Sequence, residues 1–301
     1  MYLDHFGLQR MPFGLTPDTR YFCDLPGHRA ALNVLCIAVG SGEGFVKITG
    51  EVGTGKTLLC RQFLADMEGC APCAWLPNPV LRPHEMRLAL AHELGLTIAA
   101  GDSQALLVRK LELHLLELAQ RGQPAILVID EAQALPDESL EALRLLSNLE
   151  TERQKLVQII LFGQPELNAR LASDHFRQLR QRIAFSYDLP PLRRPEMQAY
   201  LNHRLRLAGA STPLFSGAAL QSIALLSRGI PRLGHVLAHK ALIGAYGRGS
   251  PQARLREAWA AACDTEDVAM RLHQYWRRGF IGGAGLLAAG TAAAAVLRWV
   301  P

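Results

Sequence analysis

Dense runs of one charge are missing from this sequence. It has no lysine stretch, no basic patch interleaved with aromatics, and an aromatic content of only 7%. Its net charge of +5 is spread over Arg177 to Arg194 and Arg248 to Arg278, so nucleic acid is neither required nor excluded as a partner. A secretory leader is not expected at the start of this sequence, because Asp4, His5, Gln9 and Arg10 interrupt any apolar core there. Internal repeats and long disordered tracts are also lacking. Cysteine is sparse and scattered, at 23, 36, 60, 70, 73 and 263, and Cys36 and Cys60 sit in apolar helical stretches as buried small hydrophobes do in a reducing compartment. Cys70-Ala-Pro-Cys73 has redox-motif spacing, but no thioredoxin pattern surrounds it and no second Cys or His pair completes a zinc site, which favours a structural role.

What is present is ample apolar content, 49% over 301 residues, enough for two domains with a sizeable core. Gly50-Glu51-Val52-Gly53-Thr54-Gly55-Lys56-Thr57 spells a complete phosphate-binding loop. It follows the short apolar run Gly44 to Thr49 and precedes Leu58, Leu59, Phe63 and Leu64 at helical spacing. The loop therefore joins a strand to a helix N-terminus, where backbone N–H groups and the helix dipole favour anions. Residues 50 to 57, with Leu58, form the expected ATP-binding set; Lys56 reaches the β/γ-phosphates and Thr57 ligates Mg²⁺.

A second strand signal, Ala125-Ile126-Leu127-Val128-Ile129, ends in Asp130-Glu131. An uninterrupted apolar run suits a strand covered on both faces. Asp130 is the expected second Mg²⁺ ligand and Glu131 the residue that polarises a water for attack on the γ-phosphate, with two solvated acids as the bland alternative. Gln164 follows a third run, Leu156 to Gly163, where an amide can sense the γ-phosphate or merely satisfy a Gly-Gln-Pro turn. Phe176-Arg177-Gln178-Leu179-Arg180-Gln181-Arg182-Ile183 offers an arginine finger toward a neighbouring subunit, Arg182 first and Arg180 second, against a solvated basic helix face. In Gly229-Ile230-Pro231-Arg232, an arginine opens a helix, where the dipole disfavours a cation; this points to a return of Arg232 onto the nucleotide.

The intervening pattern alternates strand and helix, with strands near 44–49, 73–77, 125–130, 156–162 and 183–189. That alternation predicts an α/β fold: a parallel five-stranded sheet with helices on both faces. Pro190-Pro191 ends it, and helices are expected over Pro195 to Leu207, Ser216 to Ser227, Pro231 to Tyr246 and Ala253 to Tyr275. The domain reading is a nucleotide-binding core over 1–190, a helical lid with a juxtamembrane helix over 191–276, and a transmembrane helix over 279–297. That last segment carries no charge, spans about 28 Å as a helix, and is flanked by Tyr275, Trp276, Arg277 and Arg278 before and Arg298 and Trp299 after. The arginine pair favours an inside N-terminus. Gly279/Gly283 and Gly285/Ala289 supply small-residue spacing for helix association. Because the segment is mostly Ala and Gly, a buried or amphipathic tail helix is the competing reading.

These motifs, in this order, resemble the AAA+ ATPases. The opening Met1-Tyr2-Leu3-Asp4-His5-Phe6-Gly7-Leu8, with Pro12-Phe13, Thr16-Pro17-Asp18 and Phe162-Gly163-Gln164-Pro165-Glu166-Leu167, resembles more narrowly the secretion-pathway protein A ATPases, including the relative that serves the mannose-sensitive haemagglutinin type IV pilus. The resemblance covers roughly residues 1 to 250. It implies an AAA+ P-loop core, ATP and Mg²⁺ as cofactors, self-association into a ring or other homo-oligomer, and an inner-membrane secretion or pilus subunit as partner. It further implies an N-terminal block and a helix beginning at His28-Arg29 that flank the adenine, although the block read by itself is an aromatic and proline-punctuated segment of the kind that packs as core. With the tail segment 279–297, the expectation is a single-pass protein of the inner (cytoplasmic) membrane with its ATPase domain in the cytoplasm. The long extracytoplasmic peptidoglycan-binding region of some such relatives is not expected here. AAA+ transposition regulators share the same core motifs, which leaves a DNA-associated ATPase as the alternative, and a non-hydrolysing switch is disfavoured by Glu131.

Overall fold

The computed structural model describes residues 2–99, 101–151 and 154–270. They form two compact units, one made of Gly14–Glu196 with Gly229–Arg232, the other of Met1–Phe13, Met197–Arg228 and the chain from Leu233.

The first unit is built on five parallel strands, β1 (Phe45–Gly50), β2 (Cys73–Leu76), β3 (Ala125–Ile129), β4 (Val157–Gly163) and β5 (Ile183–Leu189), in the order β2-β3-β4-β1-β5. All five apolar runs picked out in the sequence are strands, with ends moved by a residue at most. β3 and β4 are buried along their whole length, as their unbroken apolar character requires, because helices cover both faces. On one side, α1 (Pro26–Gly40) and α2 (Lys56–Met67) bring Leu35, Leu59 and Phe63 onto Val46, Ile48, Val128 and Ile160. On the other, α3 (Pro83–Glu93), α4 (Gln104–Gln120), α5 (Asp137–Leu146) and α6 (Pro165–Ala172) cover Leu127, Ile129, Ile159 and Leu161. Sequestering these side chains contributes roughly 1.5–3 kcal/mol each before chain entropy is counted. A short α7 (Arg177–Arg180) precedes β5. β5 alternates between half-buried and exposed positions, as an edge strand with one covered face does.

The second unit is helical in its main elements, with α8 (Arg194–Leu207), α9 (Gly217–Leu226), α10 (Pro231–Tyr246) and α11 (Leu255–Cys263). The helix expected over Ala253 to Tyr275 is interrupted, because the Thr265 hydroxyl donates back to the Ala261 carbonyl at 2.7 Å and the Thr265 carbonyl starts a new turn by accepting from Val268 and Ala269. The N-terminal block belongs to this unit, whereas the sequence placed 1–190 together. Tyr2, Phe6, Leu8 and Phe13 are buried, the Tyr2 hydroxyl lies 2.9 Å from His239 Nδ1, and the Gln9 N–H donates to Ala208 O at 2.8 Å. Its aromatics and Pro12 thus pack as core. The proposed membrane span, 279–297, lies outside the described residues, and no helix among those described is long and apolar enough to cross a membrane.

Candidate nucleotide site

The site gathers at the C-terminal ends of β1, β3 and β4. β1 ends at Gly50 and α2 starts at Lys56, so the loop between them must reverse direction within five residues. Gly53 and Gly55 make this possible with φ of 81° and 100°, a region that L side chains enter only at a cost. Each also lies against a neighbour: an added Cβ would fall 2.7 Å from Arg232 Cβ at Gly53 and 3.0 Å from His28 Nε2 at Gly55. Thr54 braces the loop from inside, donating its hydroxyl to Glu51 O at 2.8 Å. His28 Nε2 donates to Thr54 O at 3.2 Å, and burial pushes this histidine below its ordinary pKa. Gly55 caps α2 without a side chain, leaving the first turn accessible to an anion.

Lys56 is 5% exposed and turns back on its own loop, donating from Nζ to Gly50 O at 2.8 Å and Glu51 O at 3.0 Å. Burial pulls its pKa down, and the surrounding carboxylates of Glu131, Asp130, Glu51 and Glu166 oppose that pull. Asp130 is 2% exposed, and burial raises its pKa against hydrogen bonds from the Thr57 hydroxyl and the Glu131 N–H, the latter 2.9 Å from Oδ1. Thr57 and Asp130 thus act on each other across the site, which suits two candidate ligands of one cation.

Glu131 lies next to them in a left-handed conformation, φ 52° and ψ 38°, uncommon for a non-glycine residue and typical of sites where strain serves a role. Its Oε2 accepts from Gln164 Nε2 at 2.8 Å and from Gln133 Nε2 at 2.6 Å. Burial alone would raise its pKa; the two amides and the Lys56 charge outweigh that and hold the carboxyl below the usual range. Gln133 was not singled out by sequence reasoning, although an amide two residues beyond the acid pair, inside the turn that follows β3, is the signal available.

Arg232 is brought to the loop as well. Leu192 N–H donates to Gly229 O at 2.8 Å, fixing the Gly229–Arg232 segment, and the Arg232 N–H donates to Gly53 O at 3.2 Å while its side chain stays exposed. Arg182 and Arg180 are engaged elsewhere: Arg182 Nη1 donates to Ser147 Oγ at 3.1 Å at the end of α5, and Arg180 Nη1 to Ala172 O at 2.8 Å at the end of α6. A further polar group missed in the sequence joins Lys47 and Thr49 of β1 to Asn168 and Asp188, with Asn168 Nδ2 3.2 Å from Thr49 Oγ1.

A parallel sheet in this order, with a phosphate loop after β1 and an acid pair after β3, defines the class as a AAA+ ATPase, a nucleotide-binding P-loop protein. The AAA domain family model matches residues 39–171. The chain is 38% identical over 293 residues to the general secretion pathway protein A of Aeromonas hydrophila, covering 96% of this chain and 53% of that protein. It belongs to the general secretion pathway protein A family of AAA+ ATPases and spans about half the length of that relative (53%). Among solved structures it shares its fold with Cdc6p from Pyrobaculum aerophilum (TM-score 0.61, 19% identity, 79% of this chain and 68% of that one). Similar likenesses hold for the Aeropyrum pernix ORC2 protein (0.62, 18%, 84% and 73%) and the Thermotoga maritima RuvB branch migration motor (0.56, 18%, 84% and 72%).

Proposed function

We propose that this chain is a membrane-tethered ATPase that couples ATP hydrolysis to assembly of a type II secretion or type IV pilus machine. The observation that carries the hydrolytic part is the convergence of Lys56, Asp130, Glu131 and Gln164 on one loop, with Glu131 held ionised by amide donors. Lys56 exchanges the Gly50 and Glu51 carbonyls for β/γ-phosphate oxygens, giving up neutral partners for charged ones. Glu131 orients the attacking water and takes its proton, and Gln164, one bond away, responds to the γ-phosphate. Arg232 reaches the phosphates from the segment clamped on Gly53. The donor set fits Mg²⁺: the Thr57 hydroxyl and Asp130 carboxylate would hold it, and when bound it neutralises phosphate charge.

Arg182 serves a second copy in an oligomer, since its present bond is to a neutral hydroxyl, Ser147 Oγ, which a charged phosphate oxygen would replace. The secretion or pilus role, including the pilus-type alternative, rests on the 38% identity to a secretion protein, and the tether on the uncharged segment 279–297 with its flanking aromatics and arginines. On this reading the protein sits in the inner membrane with its ATPase units in the cytoplasm and its partner among membrane subunits of the machine. Alkaline carbonate washing tests it: the full chain is expected to stay in the membrane pellet and a version stopped at Arg278 to be released. Release of both removes the tether, and ATP-dependent binding to DNA is then the property to measure.

A further inference from the structure

Gln133 lies in the short 3-10 turn Ala132–Ala134 that leaves Glu131, and its side chain is engaged at both ends. Its Oε1 accepts the Gln164 backbone N–H at 2.9 Å, and its Nε2 donates to Glu131 Oε2 at 2.6 Å. A backbone N–H can only donate and a carboxylate can only accept, so the two contacts fix the amide orientation together. The turn itself is anchored, because Arg170 Nη1 donates to Gln133 O at 2.6 Å and the same guanidinium pairs with Asp137. Gly163 completes the seat: an added Cβ there would stand 3.4 Å from Gln133 Oε1 and 2.7 Å from Leu167. Two amides thus converge on one carboxylate oxygen, and they are not equivalent. Gln133 is held by three contacts, whereas the Gln164 amide is held by its one bond to Glu131 at 2.8 Å.

We propose that Gln133 is a positioning residue for ATP hydrolysis: anchored on the Gln164 backbone, its amide holds the Glu131 carboxylate in its attacking orientation while the Gln164 side chain turns to the γ-phosphate. This inference rests on the reading of Glu131 as the residue that orients water. It makes the strained left-handed backbone at Glu131 tolerable, because the carboxylate is tethered beyond the strain. It also separates two duties: Gln164 changes partner and Gln133 does not.

The test uses the full chain with Gln133→Leu, which keeps the bulk and removes both contacts. Turnover is expected to fall about 10- to 100-fold, a fraction of what a general base supplies, while KM and the affinity for a fluorescent ATP analogue stay within about twofold. Because Gln133 acts through Glu131, adding Gln133→Leu to Glu131→Gln should cost nothing further. If Gln133→Leu fails to fold, Gln133→Glu carries the test: it keeps an acceptor for the Gln164 N–H, sets a like charge against Glu131, and should lose turnover to the same degree. Full turnover in either folded variant beside an inactive Glu131→Gln overturns the role of Gln133 alone. Equal losses in kcat and nucleotide affinity reduce it to a structural residue and overturn it too. Full turnover in Glu131→Gln overturns the reading beneath it, and the single variant identifies that failure by itself.

Discussion

Two buried cations, one in each compact unit, are held in opposite ways. Lys56, 5% exposed, bonds only to carbonyls five and six residues away in its own loop, with the carboxylates of Glu131 and Asp130 close enough to bias its charge. Arg204, 4% exposed, donates from Nε to Pro12 O at 2.6 Å, a partner 192 residues distant, and from Nη1 to the Tyr200 hydroxyl at 3.3 Å. Tyr200 in turn stacks on His235 at an interplanar angle of 13° and sits 2.8 Å from its Nε2. Burial alone therefore does not mark a functional charge. A cation with short-range, neutral, replaceable partners is ready for a ligand, whereas one that ties distant segments together holds the chain in place.

The largest test of that contrast is Lys56→Ala. Nucleotide affinity should fall at least about 100-fold through loss of charge-assisted bonds, with the thermal midpoint unchanged or raised because a desolvated charge has been removed. Titration with a fluorescent ATP analogue checks it, and ordinary affinity would refute the loop assignment. Next is Glu131→Gln, which should bind ATP but slow turnover about 100- to 1,000-fold; unchanged turnover would take Glu131 out of the reaction. Arg182→Ala should reduce turnover on the order of 100-fold if the guanidinium serves a neighbouring copy. Mixing it with Lys56→Ala chains should then restore part of the rate, since hybrid interfaces unite one intact loop with one intact arginine. No rescue under proven mixed assembly counts against Arg182 and turns attention to Arg180.

The same contrast explains what could be read from the sequence. The phosphate loop, the acid pair and all five strands were legible, because each is a local pattern: glycines at turn positions, unbroken apolar runs, acids at a strand end. Gln133 was not, since its meaning depends on Gln164, 31 residues further along, arriving from the next strand of the sheet. The cluster of Lys47, Thr49, Asn168 and Asp188 was missed for the same reason, as three elements supply it. The N-terminal block misled in the other direction. The domain reading joined it to the nucleotide-binding core over 1–190, but Tyr2, Gln9 and Pro12 find their partners at His239, Ala208 and Arg204. Apolar pattern shows that a segment is buried, not against what.

Arg204→Ala probes the structural side of the comparison. Losing the bonds of a buried charged group, and with them the Arg204 donor to Pro12 O, should lower the stability of the helical unit by about 2–4 kcal/mol, seen as a lower urea midpoint. Nucleotide affinity should change by less than about twofold, far from the Lys56→Ala loss. A variant that lost affinity while keeping its midpoint would show that Arg204 belongs with Lys56 and not opposite it.

The finest test compares two glycines under the same backbone demand. Gly53 and Gly209 adopt φ of 81° and 101°, so alanine at either site meets a left-handed penalty of about 1–2 kcal/mol. Their surroundings differ. At Gly53 the new Cβ would stand 2.7 Å from Arg232 Cβ and 3.1 Å from Ile230 Cγ2, inside the segment fixed by the Leu192–Gly229 bond, and must push either that segment or the phosphate loop aside. At Gly209 its nearest neighbours are Gln9 Cγ at 3.0 Å, in a side chain that can turn, and the Gln9 backbone N at 3.3 Å, which must give by only a few tenths of an ångström. Gly53→Ala should therefore lose more stability than Gly209→Ala, and only Gly53→Ala should also weaken ATP analogue binding, by about three- to tenfold. Equal nucleotide affinity in the two variants would mean that the loop absorbs the displacement without altering its phosphate-facing N–H groups, and that the closeness of Arg232 to Gly53 has no part in binding.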